Sequence, residues 1–379
     1  MTLLHHRLDG PEGGPRLILG PSLGTSIALW DPQVAVLART HRVLRYDLPG
    51  HGGSAASALP DPAPGATTMD DLARLVLDLA DHHGWAHFHY AGVSIGGAIG
   101  ATLALRRPAR VTSLGMVCSS ARFGEPSAWR ERAGLVRDKG TEPLLEATAS
   151  RWFAGPVHES MVAEMAAADP AGYAACCDAL SGYDVRAELA AIGVPVLVVA
   201  GREDPATPPA HARELADGLP RATLLEVAGA AHLANLDQPE TVTAALTAHL
   251  SGASGDGERH ARGMAVRRAV LGDAHVDGAI ARTTPFTADF QDLITRYAWG
   301  EIWTRPGLDR RTRSCVTLTA LVAHGHLEEL AMHVRAALRN GLTAEEIGEV
   351  LLQSAVYCGV PAANAAFAVA QRVLREQES

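Results

Sequence analysis

The sequence predicts an α/β domain followed by a separate all-helical domain, and three observations support this division. In residues 1–250, short apolar runs of strand length alternate with amphipathic stretches, which indicates a mostly parallel sheet with helices on both faces. In residues 263–379, apolar side chains recur at intervals of three and four, as they do in helices. Between them, residues 251–262 read SGASGDGERHAR, a composition typical of a flexible linker.

The individual elements follow from these patterns in chain order. Strands are expected at residues 17–19, 42–46, 88–92, 113–118, 194–201 and 222–227. Residues from about 120 to 185 break the alternation with a mostly helical pattern, which predicts a cap inserted over the edge of the sheet. Helices of the second domain are expected at residues 286–299, 310–324, 327–340, 344–357 and 362–376.

Composition narrows the class of protein. The chain has 379 residues, 47 % of them hydrophobic and 20 % charged, with a net charge of −9. This balance supports a folded core and argues against binding to the phosphate backbone of nucleic acids. The most apolar runs have only strand length, and the N-terminus lacks the apolar stretch of a signal peptide. We therefore expect a soluble, cytoplasmic protein without nucleic-acid or membrane partners.

A nucleophile motif follows the third predicted strand. Residues 92–96, Gly-Val-Ser-Ile-Gly, match the pattern Gly-x-Ser-x-Gly, which exposes the hydroxyl of Ser94 on a sharp strand-to-helix turn. Asp204 and His232 each follow a later strand, so serine, acid and histidine occur in the chain order of the α/β-hydrolase triad. Glu203 remains a competing acid.

An oxyanion hole is expected beside this serine. The backbone N–H of Ile95 directly follows the nucleophile, and residues 20–24, GPSLG, follow the first predicted strand. The N–H of Leu23 is the expected second donor, although a plain turn would have a similar sequence.

Further motifs narrow the type of hydrolase. Residues 20–33 read GPSLGTSIALWDPQ, residues 46–54 read YDLPGHGGS, and residues 151–153 read RWF. These motifs resemble the α/β-hydrolase superfamily, and 3-oxoadipate enol-lactonases in particular. The resemblance implies a substrate with a free carboxylate, and the candidate cap contacts are Trp129, Arg122, Arg130 and Arg151. Surface exposure or core packing would explain each of these four residues equally well.

A polar stripe marks the second domain. His326, Glu329 and His333 are spaced by three and four residues, so they share one face of a helix beside an apolar stripe. The residues alone leave three interpretations open: a solvated helix face, a metal site that lacks a second ligand cluster, and acid–base catalysis by His333.

The surrounding sequence favours catalysis. Residues 290–304 read FQDLITRYAWGEIWT, residues 340–347 read NGLTAEEI, and residues 353–361 read QSAVYCGVP. These segments resemble 4-carboxymuconolactone decarboxylases. The resemblance implies decarboxylation without metal or cofactor, with His333 as proton donor, His326 and Glu329 as positioning groups, and homo-oligomers formed through this domain. His326 and Glu329 stand where thiol peroxidases of the wider superfamily have cysteines, so peroxidase chemistry lacks its nucleophile.

The two resemblances describe consecutive reactions. The decarboxylases make the 3-oxoadipate enol-lactone that the lactonases open to 3-oxoadipate, which implies a bifunctional enzyme of protocatechuate breakdown acting on small lactones. The alternative is a general esterase or haloperoxidase-like hydrolase joined to a helical oligomerisation domain without chemistry of its own.

Overall fold

The chain folds as two units, each with its own hydrophobic core. The computed structural model describes residues 2–61, 63–253, 256–305 and 307–378. Contacts divide the chain into Met1–Ala253 and Ser254–Ser379. The core of the first unit is the larger, and it includes fully buried side chains such as Leu17, Tyr90 and Val199.

The first unit is built on a mixed sheet, which has seven strands in the part of the chain described. These are β1 (His6–Asp9), β2 (Arg16–Gly20), β3 (Arg42–Tyr46), β4 (Phe88–Val93), β5 (Val111–Val117), β6 (Val196–Gly201) and β7 (Ala222–Val227). Their order is β1-β3-β2-β4-β5-β6-β7, and β1 pairs antiparallel with β3 while the other pairs are parallel. The predicted α/β fold is confirmed. Strand β1 was not predicted because its sequence, HRLD, has no apolar run.

Helices connect these strands, and several of them contact the sheet. They are α1 (Asp31–Leu37), α2 (Met69–His82), α3 (Ile95–Arg106), α4 (Pro126–Lys139), α5 (Leu145–Trp152), α6 (Glu159–Ala166), α7 (Pro170–Ser181), α8 (Pro209–Gly218), α9 (Ala234–Asp237) and α10 (Pro239–Ala253). Helix α3 lies close to the sheet because Gly100 has no side chain. A Cβ atom there would lie 2.6 Å from atoms of Leu114 and Tyr90.

Helices α4 to α7 form the insertion between β5 and β6. Helices α4 and α7 pack against each other, and α7 also touches the loop that follows β3. A Cβ atom on Gly172 would lie 2.5 Å from the Cα atom of Gly50, so two glycines allow this close approach. The insertion is thereby held against the loop after β3, at the carboxyl edge of the sheet.

The second unit is helical throughout the residues described. Its helices are α11 (Asp256–Leu271), α12 (Asp273–Ala281), α13 (Ala288–Ile294), α14 (Arg310–His324), α15 (Leu327–Arg339), α16 (Ala344–Cys358) and α17 (Val360–Glu378), with a π-helix at Thr295–Ile302. The predicted helical domain is confirmed. No helix in the described part of either unit is long and apolar enough to cross a membrane.

The segment expected as a flexible linker, residues 251–262, differs from that expectation. Residues 251–253 end α10 and residues 256–262 begin α11, while residues 254 and 255 lie outside the described residues. Helix α11 packs along the π-helix and also against α15. This packing stabilises a helix that its polar, glycine-containing start does not favour on its own.

Candidate active sites

Ser94 lies on a strained turn between β4 and α3. Its backbone angles are φ 55° and ψ −117°, and Cys118 is the only other non-glycine residue with positive φ in the described chain. The N–H of Ser94 donates to the carbonyl of Val117 at 2.9 Å. A Cβ atom on Gly92 would lie 2.2 Å from the carbonyl carbon of Gly96, so both flanking glycines are required. The turn therefore presents the serine hydroxyl at the carboxyl edge of the sheet.

Two backbone N–H groups are available near this hydroxyl. Ile95 is the first residue of α3, so its N–H has no acceptor within the helix. Leu23 lies in a turn that Thr25 closes by donating its N–H and its hydroxyl to the carbonyl of Ser22, at 3.2 and 2.9 Å. A Cβ atom on Gly96 would lie 2.7 Å from two carbonyl oxygens of the loop leading to Leu23. The two loops are thus in contact, as an oxyanion hole requires.

Asp204 and His232 form a buried pair. The Nδ1 atom of His232 lies 2.9 Å from Oδ2 of Asp204, which also accepts the Thr207 hydroxyl at 2.7 Å. The N–H groups of Ala206 and Thr207 donate to Oδ1 at 2.8 and 3.0 Å. Burial alone would raise the pKa of Asp204. The hydrogen bond and charge of His232, together with the hydrogen bonds from Thr207, outweigh burial, so the pKa of Asp204 is lowered. Nδ1 of His232 is thus occupied by Asp204, so Nε2 is the nitrogen left for Ser94. No hydrogen bond joins Nε2 to Ser94 among the described residues.

Glu203, the competing acid, has different partners. Its carboxylate accepts the N–H groups of Gly229 and Ala230, at 3.3 and 3.0 Å. These residues begin the loop that carries His232. Glu203 therefore holds the backbone of the histidine loop, while the adjacent Asp204 binds the imidazole.

The cap touches the histidine loop through the main chain. The N–H of His232 donates to the carbonyl of Arg151 at 3.3 Å, and that of Leu233 donates to Trp152 at 2.8 Å. Asp237 accepts one N–H from the loop and one from the cap, at 2.8 and 3.0 Å. Asp237 and Thr207 were not predicted, because their roles depend on contacts that no local pattern encodes. Thr207 has one local signal, since it lies three residues after Asp204, the spacing of a side-chain capping hydrogen bond.

The proposed substrate contacts of the cap differ in their surroundings. The indole N–H of Trp129 donates to a cap carbonyl at 2.5 Å. Arg122 pairs with Glu125 at 2.9 Å, and Arg130 is exposed. Nothing in the described structure joins these three side chains to Ser94.

Arg132, which the sequence analysis did not single out, has no acidic partner in the described cap. Its guanidinium donates to the hydroxyls of Tyr173 and Thr148, the latter at 3.3 Å. It also lies 5.7 Å from the ring centre of Trp129 and 5.6 Å from that of Tyr173. Thr148 is one helical turn from Trp152, and a Cβ atom on Gly24 of the oxyanion loop would lie 3.4 Å from the ring of Trp152. Arg132 is thus a positive charge in the cap without an acidic partner among the residues described.

The polar stripe of the second unit lies on α15. His326 is the residue before the first turn and stacks on His324, with ring centres 5.9 Å apart. His326 and Glu329 are exposed, and His333 is half-buried. Burial and the charge of His275 lower the pKa of His333 to about 4, against an opposing effect of Glu329. His333 is therefore neutral at pH 7 in the unliganded unit, and no cluster suited to a metal ion occurs among the described residues.

His275, on α12, is a neighbour of His333 that the sequence analysis missed. Burial lowers the pKa of His275, and nearby arginines lower it further. These arginines are Arg267, Arg282, Arg335 and Arg339. The helix that carries His275 was not predicted, so no sequence signal placed it here. The surroundings of His275 are consequently rich in positive charge.

Both units match known families. Residues 17–246 match the alpha/beta hydrolase family, and residues 288–372 match the carboxymuconolactone decarboxylase family. A 3-oxoadipate enol-lactonase of Acinetobacter baylyi is 34% identical over 65% of this chain and 92% of its own length. A 4-carboxymuconolactone decarboxylase of the same organism is 46% identical over 32% of this chain and 90% of its own length.

A solved structure also resembles the first unit. The crystal structure of the enol-lactonase from Burkholderia xenovorans LB400 superimposes with a TM-score of 0.62 and 35% sequence identity. It covers 65% of this chain and 96% of its own. The predicted resemblances to both families are thereby confirmed, in the order expected along the chain.

Proposed function

Since the chain belongs to the alpha/beta hydrolase family over residues 17–246 and to the carboxymuconolactone decarboxylase family over residues 288–372, we propose that it is a bifunctional enzyme. The second unit decarboxylates 4-carboxymuconolactone to 3-oxoadipate enol-lactone, and the first hydrolyses that lactone to 3-oxoadipate. The observation that carries this proposal is the presence, in one chain, of units similar to an enzyme for each lactone. Loss of one carbon as CO₂ links the two compounds, so the two units act in sequence.

Hydrolysis uses a nucleophilic serine. Ser94 attacks the lactone carbonyl while its proton passes to Nε2 of His232, and Asp204 holds Nδ1. The N–H groups of Ile95 and Leu23 stabilise the oxyanion. The ring C–O bond then breaks, and His232 gives its proton to the departing enolate, which becomes a ketone. Water, deprotonated by His232, finally releases the acid from Ser94.

Decarboxylation needs charge stabilisation and a returned proton. The C–C bond to the departing carboxylate breaks, and its electron pair moves toward the lactone carbonyl. His333 returns a proton to the ring, and His326 and Glu329 position it. Because the pKa of unliganded His333 is about 4, it becomes a donor only when an anionic substrate raises that pKa and His333 takes up a proton.

The His333→Gln variant tests the second half of the proposal. We expect kcat for decarboxylation to fall about 10²- to 10⁴-fold, the range for loss of one acid–base group. Hydrolysis of added enol-lactone by the same preparation should not change. The matched control is His260→Gln, since His260 is a partly exposed histidine that lies 3.9 Å from Asp292 and has no role in the proposed chemistry. CO₂ release and lactone opening are measured separately.

Three outcomes contradict the proposal in different ways. A wild-type chain that releases no CO₂ from 4-carboxymuconolactone removes the bifunctional assignment. Normal decarboxylation by His333→Gln removes only the assignment of His333. Hydrolysis of simple aryl esters without hydrolysis of the enol-lactone would instead indicate a general esterase.

Arg132 is the cap arginine best suited to bind the free carboxylate of the enol-lactone, because it is partly buried and lacks an acidic partner in the described cap, whereas Arg130 and Arg151 are exposed. We expect Arg132→Gln to raise KM for the enol-lactone about 10- to 100-fold with a smaller change in kcat. Arg122→Gln and Arg151→Gln are measured alongside. A larger increase in KM for either of them would transfer the role to that arginine.

The second unit is also the proposed site of assembly into homo-oligomers in the cytoplasm. Large apolar side chains are exposed on α16 and α17, among them Val356, Tyr357 and Val360. Apolar groups in this number favour burial against another chain. Light scattering of the purified protein gives the number of chains.

A further inference from the structure

A buried arginine in the second unit has only neutral partners. Arg267, on α11, is 5% exposed. Its Nη1 donates to the hydroxyl of Thr295 at 3.2 Å, and its Nη2 donates to Oε1 of Gln291 at 3.0 Å. Its Nε is buried and has no hydrogen-bond partner among the described residues. The guanidinium thus carries a full charge that no described carboxylate neutralises.

The neighbouring arginine on the same helix shows the ordinary arrangement. Arg268 is partly exposed and binds Asp273 at 3.0 Å and Asp277 at 2.6 Å. Burial without a carboxylate lowers the pKa of Arg267, whereas the hydrogen bonds of Asp277 and Asp273 raise that of Arg268. A buried, unpaired charge is costly, so its retention points to an anion that binds there.

The local backbone is also unusual at this point. Thr295 is the first residue of the π-helix, and its hydroxyl donates to the carbonyl of Gln291 at 2.7 Å. That bond leaves the oxygen of Thr295 to accept from Arg267. A Cβ atom on Gly263 would lie 2.0 Å from the carbonyl oxygen of Thr295, so α11 and the π-helix touch. Isolated π-helical turns occur frequently at functional sites.

Helix α11, which carries Arg267, packs against α12 and α15, which carry His275 and His333. The charge of Arg267 lowers the pKa of His275, and His275 lowers the pKa of His333. Several acidic groups lie on or near these helices. Asp273 and Asp277 on α12 bind Arg268, Glu376 binds Arg335 at 2.5 Å, and Glu329 lies on α15. None of them forms a described ion pair with Arg267, which therefore remains without a carboxylate partner among the residues described.

We propose that Arg267 and His275 form a carboxylate-binding subsite beside His333, which holds the carboxylate that the substrate of the second unit keeps. This inference rests on the proposed decarboxylase function. The product, a lactone of the dicarboxylic acid 3-oxoadipate, retains one free carboxylate. A cation bound to the departing carboxylate would stabilise the ground state more than the transition state. The reason is that the negative charge moves from this carboxylate into the ring as CO₂ forms. A cation on the retained carboxylate binds both states and fixes the orientation of the ring.

The test measures binding of the retained carboxylate directly. In a Ser94→Ala background of the full chain, 3-oxoadipate enol-lactone is not consumed and serves as a product inhibitor of decarboxylation. We expect Arg267→Gln to raise its inhibition constant about 10- to 100-fold. Inhibition by 2(5H)-furanone, an uncharged lactone, should change little. Arg268→Gln is the matched control and should leave both inhibition constants unchanged.

Three results overturn the inference. The first is an unchanged inhibition constant of the enol-lactone in Arg267→Gln. The second is an equal increase in the inhibition constant of the uncharged lactone in the same variant. The third is an equal increase in the inhibition constant of the enol-lactone in Arg268→Gln. If Arg267→Gln does not fold, Arg267→Lys is measured in its place. The lysine keeps the positive charge, so the inhibition constant of the enol-lactone should rise above that of wild type by less than about tenfold. Loss of the proposed function itself is distinguishable, because the Ser94→Ala parent would then release no CO₂.

Discussion

Replacing Ser94 with alanine is expected to reduce hydrolysis of 3-oxoadipate enol-lactone roughly 10⁵- to 10⁶-fold, the loss typical of removing a nucleophilic serine. Attack on the lactone carbonyl then falls to water, without a covalent intermediate. The measurement is the rate of enol-lactone opening, with CO₂ release by the same preparation as an internal reference. CO₂ release should continue, because the second unit has its own core and its own proposed acid.

A matched control separates the nucleophile from general damage to the sheet. Ser113 is a buried serine on the neighbouring strand β5, and its hydroxyl lies 2.8 Å from the Nδ1 atom of His89. Ser113→Ala should hydrolyse the enol-lactone within a few-fold of wild type, as expected for a residue outside the site. A fluorophosphonate that labels active serines should modify wild type and Ser113→Ala but not Ser94→Ala. Substantial hydrolysis by Ser94→Ala would show that another group attacks.

Cys118 is the nearest alternative nucleophile by position, since it follows β5 and also has positive φ. Its thiol donates to the carbonyl of Ala231 at 3.5 Å. Burial, together with the charge of Asp204, raises the pKa of Cys118. The thiol is therefore protonated at neutral pH and does not replace Ser94.

The members of the proposed triad could be selected from the sequence because each has a local signal. Ser94 lies between the glycines of its motif, and Asp204 and His232 directly follow predicted strands. Parallel strands bring their carboxyl ends to one edge of the sheet, so chain order alone indicates that these groups meet. The same reasoning placed His333 on a helix face with Glu329.

The remaining site residues depend on contacts between distant segments. Arg132 is informative only because Glu125 binds Arg122 and no acid of the described cap binds Arg132, which a linear pattern does not show. Arg267 was hidden for a related reason. It lies on α11, whose first turns have the composition of a linker, and its partners are Gln291 on α13 and Thr295, the first residue of the π-helix. A π-helix has no periodicity that separates it from an α-helix in a short apolar pattern.

Asp204→Asn is expected to reduce hydrolysis of the enol-lactone about 10⁴-fold, and Glu203→Gln less than about tenfold. An amide at position 204 presents a donor to Nδ1 of His232 and favours the tautomer that cannot accept the serine proton. A glutamine at position 203 keeps one oxygen acceptor for the N–H groups of Gly229 and Ala230, so the histidine loop is weakened but retained. The measured quantity is kcat at saturating enol-lactone, with CO₂ release as the reference for folded protein.

The two variants form a matched pair because they change adjacent carboxylates by the same isosteric substitution. A structural effect on the loop would appear in both, whereas loss of imidazole orientation should appear only at position 204. The surroundings of Asp204 sharpen the contrast: Thr207 donates its N–H and its hydroxyl to the carboxylate, and these bonds help to keep it ionised. Equal losses in both variants, or a larger loss in Glu203→Gln, would assign the acid to Glu203 and require the histidine loop to move before the reaction. A loss confined to Asp204→Asn places the acid of the triad at the carboxyl end of β6.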